Sequence, residues 1–116
     1  MQLRPDAKKS FDLAIQGLLQ PNKINNPQDR ESLIVLAHYI KRSLKQFHLE
    51  QVDFYDVVSE VYLRGTNKIN FGENIKNPGA WIRVTSYNVI REMSRQQQKE
   101  QADSEFIERQ VSSKSC

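Results

Sequence analysis

The chain has 116 residues, of which 38% are hydrophobic and 27% charged, enough for one buried core and too few for two ordinary domains. A net charge of +3 and a pI near 9.1 permit a polyanionic partner without demanding one. Four glycines, four prolines and no useful run of strict alternation favour an all-α fold, and no stretch approaches the roughly 20 apolar residues that span a bilayer.

Pro5 opens a first helix, from Pro5 or Asp6 to Gln20, with apolar positions at Phe11, Leu13, Ile15, Leu18 and Leu19 and a stop at Pro21. The turn-rich PNKINNPQ follows. A second helix opens at Pro27 or Asp29, and Leu33, Leu36, Ala37, Ile40, Leu44 and Phe47 recur at spacings of three and four to form one buried stripe. Lys41, Arg42 and Lys45 fall beside that stripe and are most simply a solvated face.

The third helix carries DFYDVVSEVYLRG. Asp53 suits its N-cap, because the carboxylate accepts from free backbone N–H groups, and Asp56 lies in the first turn where the helix dipole favours negative charge. Val57, Val58, Val61, Tyr62 and Leu63 are expected in the core, and Gly65 is expected to end the helix in the left-handed conformation. TNKINFGENIKNP then reads as a long loop, of the kind that often carries function.

Asn77-Pro78 signals the start of a fourth helix reaching about Gln98 or beyond, with Trp81, Ile82, Thr85, Val89 and Met93 on its buried side. The expectation is thus a compact bundle of four helices over residues 1–100. The tail, 101–116, either extends the last helix or forms a short one around Phe106 and Ile107, with its last five residues disordered.

The N-terminus MQLRPDAKKS lacks the apolar centre of a signal peptide, and the single cysteine, Cys116, has no internal partner, which fits a cytoplasmic protein. His38 and His48 stand apart from any cysteine; HExxH, paired CxxC, glycine-rich phosphate loops and nucleophile elbows are absent. The residues point away from an enzyme, a metal site and a cofactor.

Arg83, Tyr87, Arg91 and Arg95 recur at intervals of four, with Lys99 continuing the series. Each step advances by about 40° around a helix, so the side chains form a slowly winding basic ridge. Arginine offers a planar fork matched to phosphate, and a tyrosine ring offers a face for an unstacked base. The plainer alternative is a solvated face built from good helix formers. The preceding loop adds Asn67, Lys68, Asn70, Phe71, Asn74, Lys76 and Asn77, amides and ammonium groups with one aromatic, which suit a base drawn out of its stack. Phe71 could equally plug the core beneath the loop, and Trp81, alone in a helix's first turn, is expected to pack inward.

DFYDVVSEVYLRG followed by NPGAWIRVTSYNVIREMSRQ resembles region 2 of bacterial sigma-70 family transcription initiation factors, especially the small extracytoplasmic-function type. Asp53, Asp56, Glu60, Leu63 and Arg64 match D-x-x-D-L-V-Q-E-x-F-L-R; Ala80, Trp81, Asn88 and Arg95 match A-W-L-x-x-I-A-x-N-x-x-x-D-x-x-R, with Glu92 where aspartate is usual. The likeness covers about residues 30 to 100. It implies that Asp56, Ser59, Glu60 and Arg64 bind core RNA polymerase, on the clamp helices of its largest subunit. It also implies that Asn67, Lys68, Asn70 and Phe71 lie near a captured base of the single-stranded non-template minus-ten element, while Trp81, Arg83, Tyr87, Asn88, Arg91 and Arg95 hold the upstream fork. An anti-sigma or other partner protein belongs to the same picture.

Ser59, Thr85-Ser86 and Glu92 depart from the pattern, so promoter preference does not transfer. No second helix-turn-helix precedes Cys116, which fits either a domain of a longer protein or a stand-alone region 2 protein. The rival reading is a protein-interaction module on the same frame that does not touch DNA; a third is a nonspecific helical nucleic-acid binder.

Overall fold

In the computed structural model the backbone is described from Pro5 to Lys114 and side chains from Ala7 to Asp103. The described residues form α1 (Pro5–Leu19), a short 3-10 turn (Pro21–Lys23), α2 (Pro27–Gln46), α3 (Phe54–Asn70) and α4 (Pro78–Lys114), with no strand among them. Helices α2 and α3 each pack against both α1 and α4. The all-helical expectation holds.

Local chemistry sets most boundaries. The Asn26 side chain accepts from the backbone N–H of Gln28 and Asp29, at 2.9 and 3.3 Å, and Pro27 follows it in the first turn of α2. Asp53 caps α3 through Tyr55 N–H at 3.2 Å, while the Asp56 carboxylate accepts from the Asp53 backbone N–H at 3.2 Å, completing a capping box. Asn77 caps α4 by accepting from Ala80 N–H at 3.1 Å.

The third helix does not end at Gly65. It continues to Asn70, and the long loop contracts to the connector 71–77. The residue that turns left-handed is Gly72, with φ 86°. Its N–H donates to Ile69 C=O and that of Glu73 donates to Lys68 C=O, the paired bonds of a Schellman closure. Gly65 lies instead in the middle of the buried arc of α3. A Cβ there would stand 2.1 Å from Cζ of Phe11, so the hydrogen of glycine makes room for an aromatic ring.

Phe11 is fully buried, stacked on Tyr62 with centroids 5.8 Å apart and set edge-on to Trp81 at 5.6 Å. Above the stack, the Lys8 ammonium donates to Asp12 at 2.6 Å and to the Tyr62 hydroxyl at 2.8 Å. Burial works against the Lys8 charge, but these partners outweigh it and raise its pKa above the ordinary lysine value.

Burial follows helical phase rather than apolar character alone. Ile15, Leu18, Leu33, Leu36, Ala37, Ile40, Leu44, Val57, Val58, Val61, Ile82, Val89 and Ile90 form one core with Phe11, and Thr85 and Ser86 are buried beside it. Leu63, expected inside, is 57% exposed: it is about 240° around α3 from Val57, on the outward side. Leu13 and Leu19 are exposed on α1, while Phe47, Tyr62, Trp81 and Met93 are half-buried at the edge of the core.

Past Gln97 every described side chain of α4 is exposed, so the helix leaves the bundle and runs on as one element to Lys114. Of the final residues, 112–114 close this helix and Ser115 and Cys116 lie outside those described.

Gly65→Ala tests the close approach. Overpacking against a ring fixed on two sides costs about 1–3 kcal/mol, more than the up to ~1 kcal/mol of helix propensity gained. Urea denaturation should show net destabilisation, partly relieved in Gly65→Ala/Phe11→Leu; an unchanged or raised midpoint for the single variant contradicts this role for Gly65.

Candidate nucleic-acid interface

α4 presents different chemistry on its two flanks. Toward α2, the Arg83 guanidinium lies over the Tyr39 ring, 4.8 Å from its centroid, and the Tyr87 ring meets Phe47 edge-on at 5.9 Å. Arg91 is 5.8 Å from the centroid of Tyr87. The ridge therefore starts as alternating cation and aromatic groups braced by α2. Arg91 and Arg95 continue it on the exposed side, and Asn88 lies about 60° around the helix from Arg91. None of Arg83, Arg91 and Arg95 has a carboxylate partner among the described residues.

Toward α3, Glu92 receives a hydrogen bond from a terminal nitrogen of Arg64, whose Nε donates to Glu60 at 3.1 Å. Glu60, Arg64 and Glu92 thus form a clasp between α3 and α4. The bond to Glu92, joined by that to Glu60, outweighs desolvation and raises the Arg64 pKa above its already high ordinary value. At neutral pH the guanidinium is charged in any case, so the clasp stays ionic. All three side chains remain substantially exposed, which keeps their net contribution small.

The residues assigned to polymerase lie along one outward strip of α3: Asp56, Ser59 and Glu60, with Arg64 at its edge. They come together, but not as free groups. Asp56 serves in the capping box, and Glu60 and Arg64 are paired. Tyr55 and Leu63, each 57% exposed, accompany them, and an apolar groove of about 390 Å³ runs beside Ile15, Leu19, Tyr55, Val58 and Leu63.

The residues assigned to base capture stay together at the end of α3, with Asn67, Asn70 and Phe71 exposed. Asn67, Lys68 and Asn70 are on the last turn of α3 rather than a loop, and Lys68 is paired with Glu73 at 2.5 Å. Phe71 is the C-cap of α3 and is 86% exposed, so it does not plug the core. Trp81, assigned to the upstream fork, makes a T-shaped contact with Phe11 and is half-buried. Among the described residues no three of His, Cys, Asp and Glu gather as metal ligands, and no helix is long and apolar enough to cross a membrane.

Two further contributors leave little trace in the local sequence. Tyr39 flanks the ridge, and its place beside Ile40 at the margin of the α2 stripe was the available signal. The Arg64–Glu92 pairing joins positions 28 apart and left no local trace. Comparison of the chain with protein-family models, curated proteins and solved structures returned no significant match.

Glu92→Gln leaves Arg64 with Glu60 alone. Chemical denaturation should show a loss of about 1 kcal/mol or less at low salt, shrinking as salt screens the pair. A loss of about 3 kcal/mol that persisted in high salt would instead mark a desolvated pair.

Proposed function

We propose that this chain is a promoter-binding domain of the sigma region 2 kind, acting in the cytoplasm. It docks on core RNA polymerase through the outer strip of α3 and holds the single-stranded non-template minus-ten element with α4 and the α3–α4 corner. The observation that carries this reading is the ridge of Arg83, Arg91 and Arg95, without carboxylate partners among the described residues, with Tyr87 set between them.

Each part of the ridge has a task. The arginines take backbone phosphates, which makes affinity fall as salt rises. Exposed Phe71 and the accessible part of Tyr87 offer rings to unpaired bases, and the amides of Asn67, Asn70 and Asn88 offer donors and acceptors to base edges. Drawing a base from its stack costs a few kcal/mol, while stacking on an aromatic side chain returns about 1–3 kcal/mol per base, so a small number of such contacts shifts the balance. No covalent step is involved. Strand opening follows from tighter binding to the open form than to the closed duplex. A polymerase helix docking on α3 competes with the clasp for Glu60 and Arg64 and covers Leu63 and Tyr55. An anti-sigma protein would act by occupying either surface.

The groove beside Leu63 favours a second reading, a protein-interaction module on the same frame without DNA activity. Charge reversal in Arg91→Glu/Arg95→Glu separates the two. On the first reading it removes binding of a labelled minus-ten single strand and preserves co-purification with core polymerase; on the second it changes neither. Equal binding of a scrambled strand would reduce the activity to nonspecific nucleic-acid binding. Phe71→Ala, at a solvent-exposed ring, should leave the denaturation midpoint unchanged and weaken minus-ten binding by about 1–3 kcal/mol.

A further inference from the structure

The cations of α2 differ from an ordinary solvated face, which interleaves both signs of charge. No acidic residue occurs between Glu31 and Glu50, and Lys41, Arg42 and Lys45 have no carboxylate partner among the described residues. Lys45, in the last turn, complements the negative end of the α2 dipole; Lys41 and Arg42 lie before that turn, where the dipole no longer reaches. All three line an open cleft of about 820 Å³ between α2 and the α2–α3 connector. Its floor is apolar: Leu49 is buried, Val52 and Phe54 are half-buried, and the Lys41 ammonium lies over the Phe54 ring, 5.0 Å from its centroid. Glu50 and Asp53 stand on the connector side, so attraction for an anion is confined to the α2 wall. Cations beside an apolar floor suit an acidic protein segment with apolar residues of its own, whereas a row of phosphates would leave the floor uncovered.

The chain itself carries such a segment. Past Gln97, residues 98–114 continue α4 for about 25 Å, and the described side chains there are all exposed. The sequence EQADSEFIERQ, residues 100–110, sets Glu100, Asp103, Glu105 and Glu108 against Arg109 alone, with Phe106 and Ile107 among them. A helix without tertiary packing is marginal in water, so an extension of this length calls for a surface to lie on. Its own cleft is out of reach. α4 is one helix to Lys114 and leads away from the bundle, while the cleft lies at the root of the extension, where Gln51 of the lining donates to Gln97 at 2.7 Å.

We infer that two copies of this chain exchange these extensions, residues 100–110 of each α4 lying in the α2 cleft of the other copy, where their acids meet Lys41, Arg42 and Lys45. A two-fold axis makes the exchange reciprocal. Because each cleft lies at the root of its own extension, two antiparallel extensions bring the acid-rich stretch of each copy to the cleft of the other. The contact is the same on both copies, which closes the assembly at a dimer. The cleft shares no residue with the outer strip of α3 or with the α4 ridge, so the inference stands whether or not α4 binds nucleic acid.

The test measures the mass of the full chain by sedimentation equilibrium over a range of protein and salt concentration, with circular dichroism checking helix content. The native chain should form a dimer at low salt whose association weakens as salt screens the contact. Two charge reversals then address the two sides: Arg42→Glu/Lys45→Glu in the cleft and Glu100→Lys/Asp103→Lys/Glu108→Lys on the extension. Each alone sets like charges together and should weaken dimerisation by about ten-fold or more. An equimolar mixture of the two variants should associate again, because each reversed cleft then meets a reversed extension and each native cleft a native one. A native chain that stays monomeric up to about 1 mM at low salt overturns the inference. So does a dimer that either reversal leaves unchanged, which would place the contact on another face, or a mixture that remains monomeric.

Discussion

Burial of the Phe11 ring is the constraint from which the rest of the arrangement follows. The ring joins three helices: its own α1, α3 through Tyr62 and Gly65, and α4 through Trp81. A fully buried phenylalanine contributes about 1.5–3 kcal/mol from area alone, and its neighbours here leave it one orientation. With Trp81 turned toward that ring, the phase of α4 is set. Thr85, Val89 and Ile90 then enter the core, Glu92 faces Arg64, and Arg83 and Tyr87 turn toward α2.

Charge is divided along the same lines. The acids of α3 are largely spent within the molecule, Asp53 and Asp56 on capping and Glu60 on Arg64. Among the described residues, Lys41, Arg42 and Lys45 of α2 and Arg83, Arg91 and Arg95 of α4 remain open to solvent without carboxylate partners. A partner at α3 therefore has to exchange for existing ionic contacts and gains its net energy from the apolar surface at Tyr55 and Leu63. A polyanion at α4 meets no such competition. An ionic clasp and a row of cations without carboxylate partners among the described residues thus sit on opposite flanks of α4.

The bundle itself was legible in the sequence because period and caps agree. Asn26, Asp53 and Asn77 act as caps, and the α2 stripe is buried from Leu33 to Leu44. Residues with two physical uses are ambiguous from local pattern. Gly65 and Gly72 are both glycines near a possible helix end, yet one admits a ring and the other supplies a positive φ. Because the positive φ is at Gly72 and not at Gly65, α3 gains the stretch Thr66 to Asn70 that local pattern assigns to a loop. Leu63 is apolar and sits among buried valines, but its angular position faces solvent. For the candidate site, the spacing of Arg83, Tyr87, Arg91 and Arg95 and the inward packing of Trp81 are visible in the sequence, whereas the aromatic supports on α2 are not.

What the sequence by itself determined is local: helix type, helix starts, and the presence of a basic ridge, all governed by interactions within a few residues. What only the tertiary structure decided is which glycine yields to a neighbour, which apolar side chains stay outside, and which charges are already paired. Those outcomes depend on groups far apart in the chain meeting across α1, α3 and α4. No periodicity within a single helix encodes the partner on another.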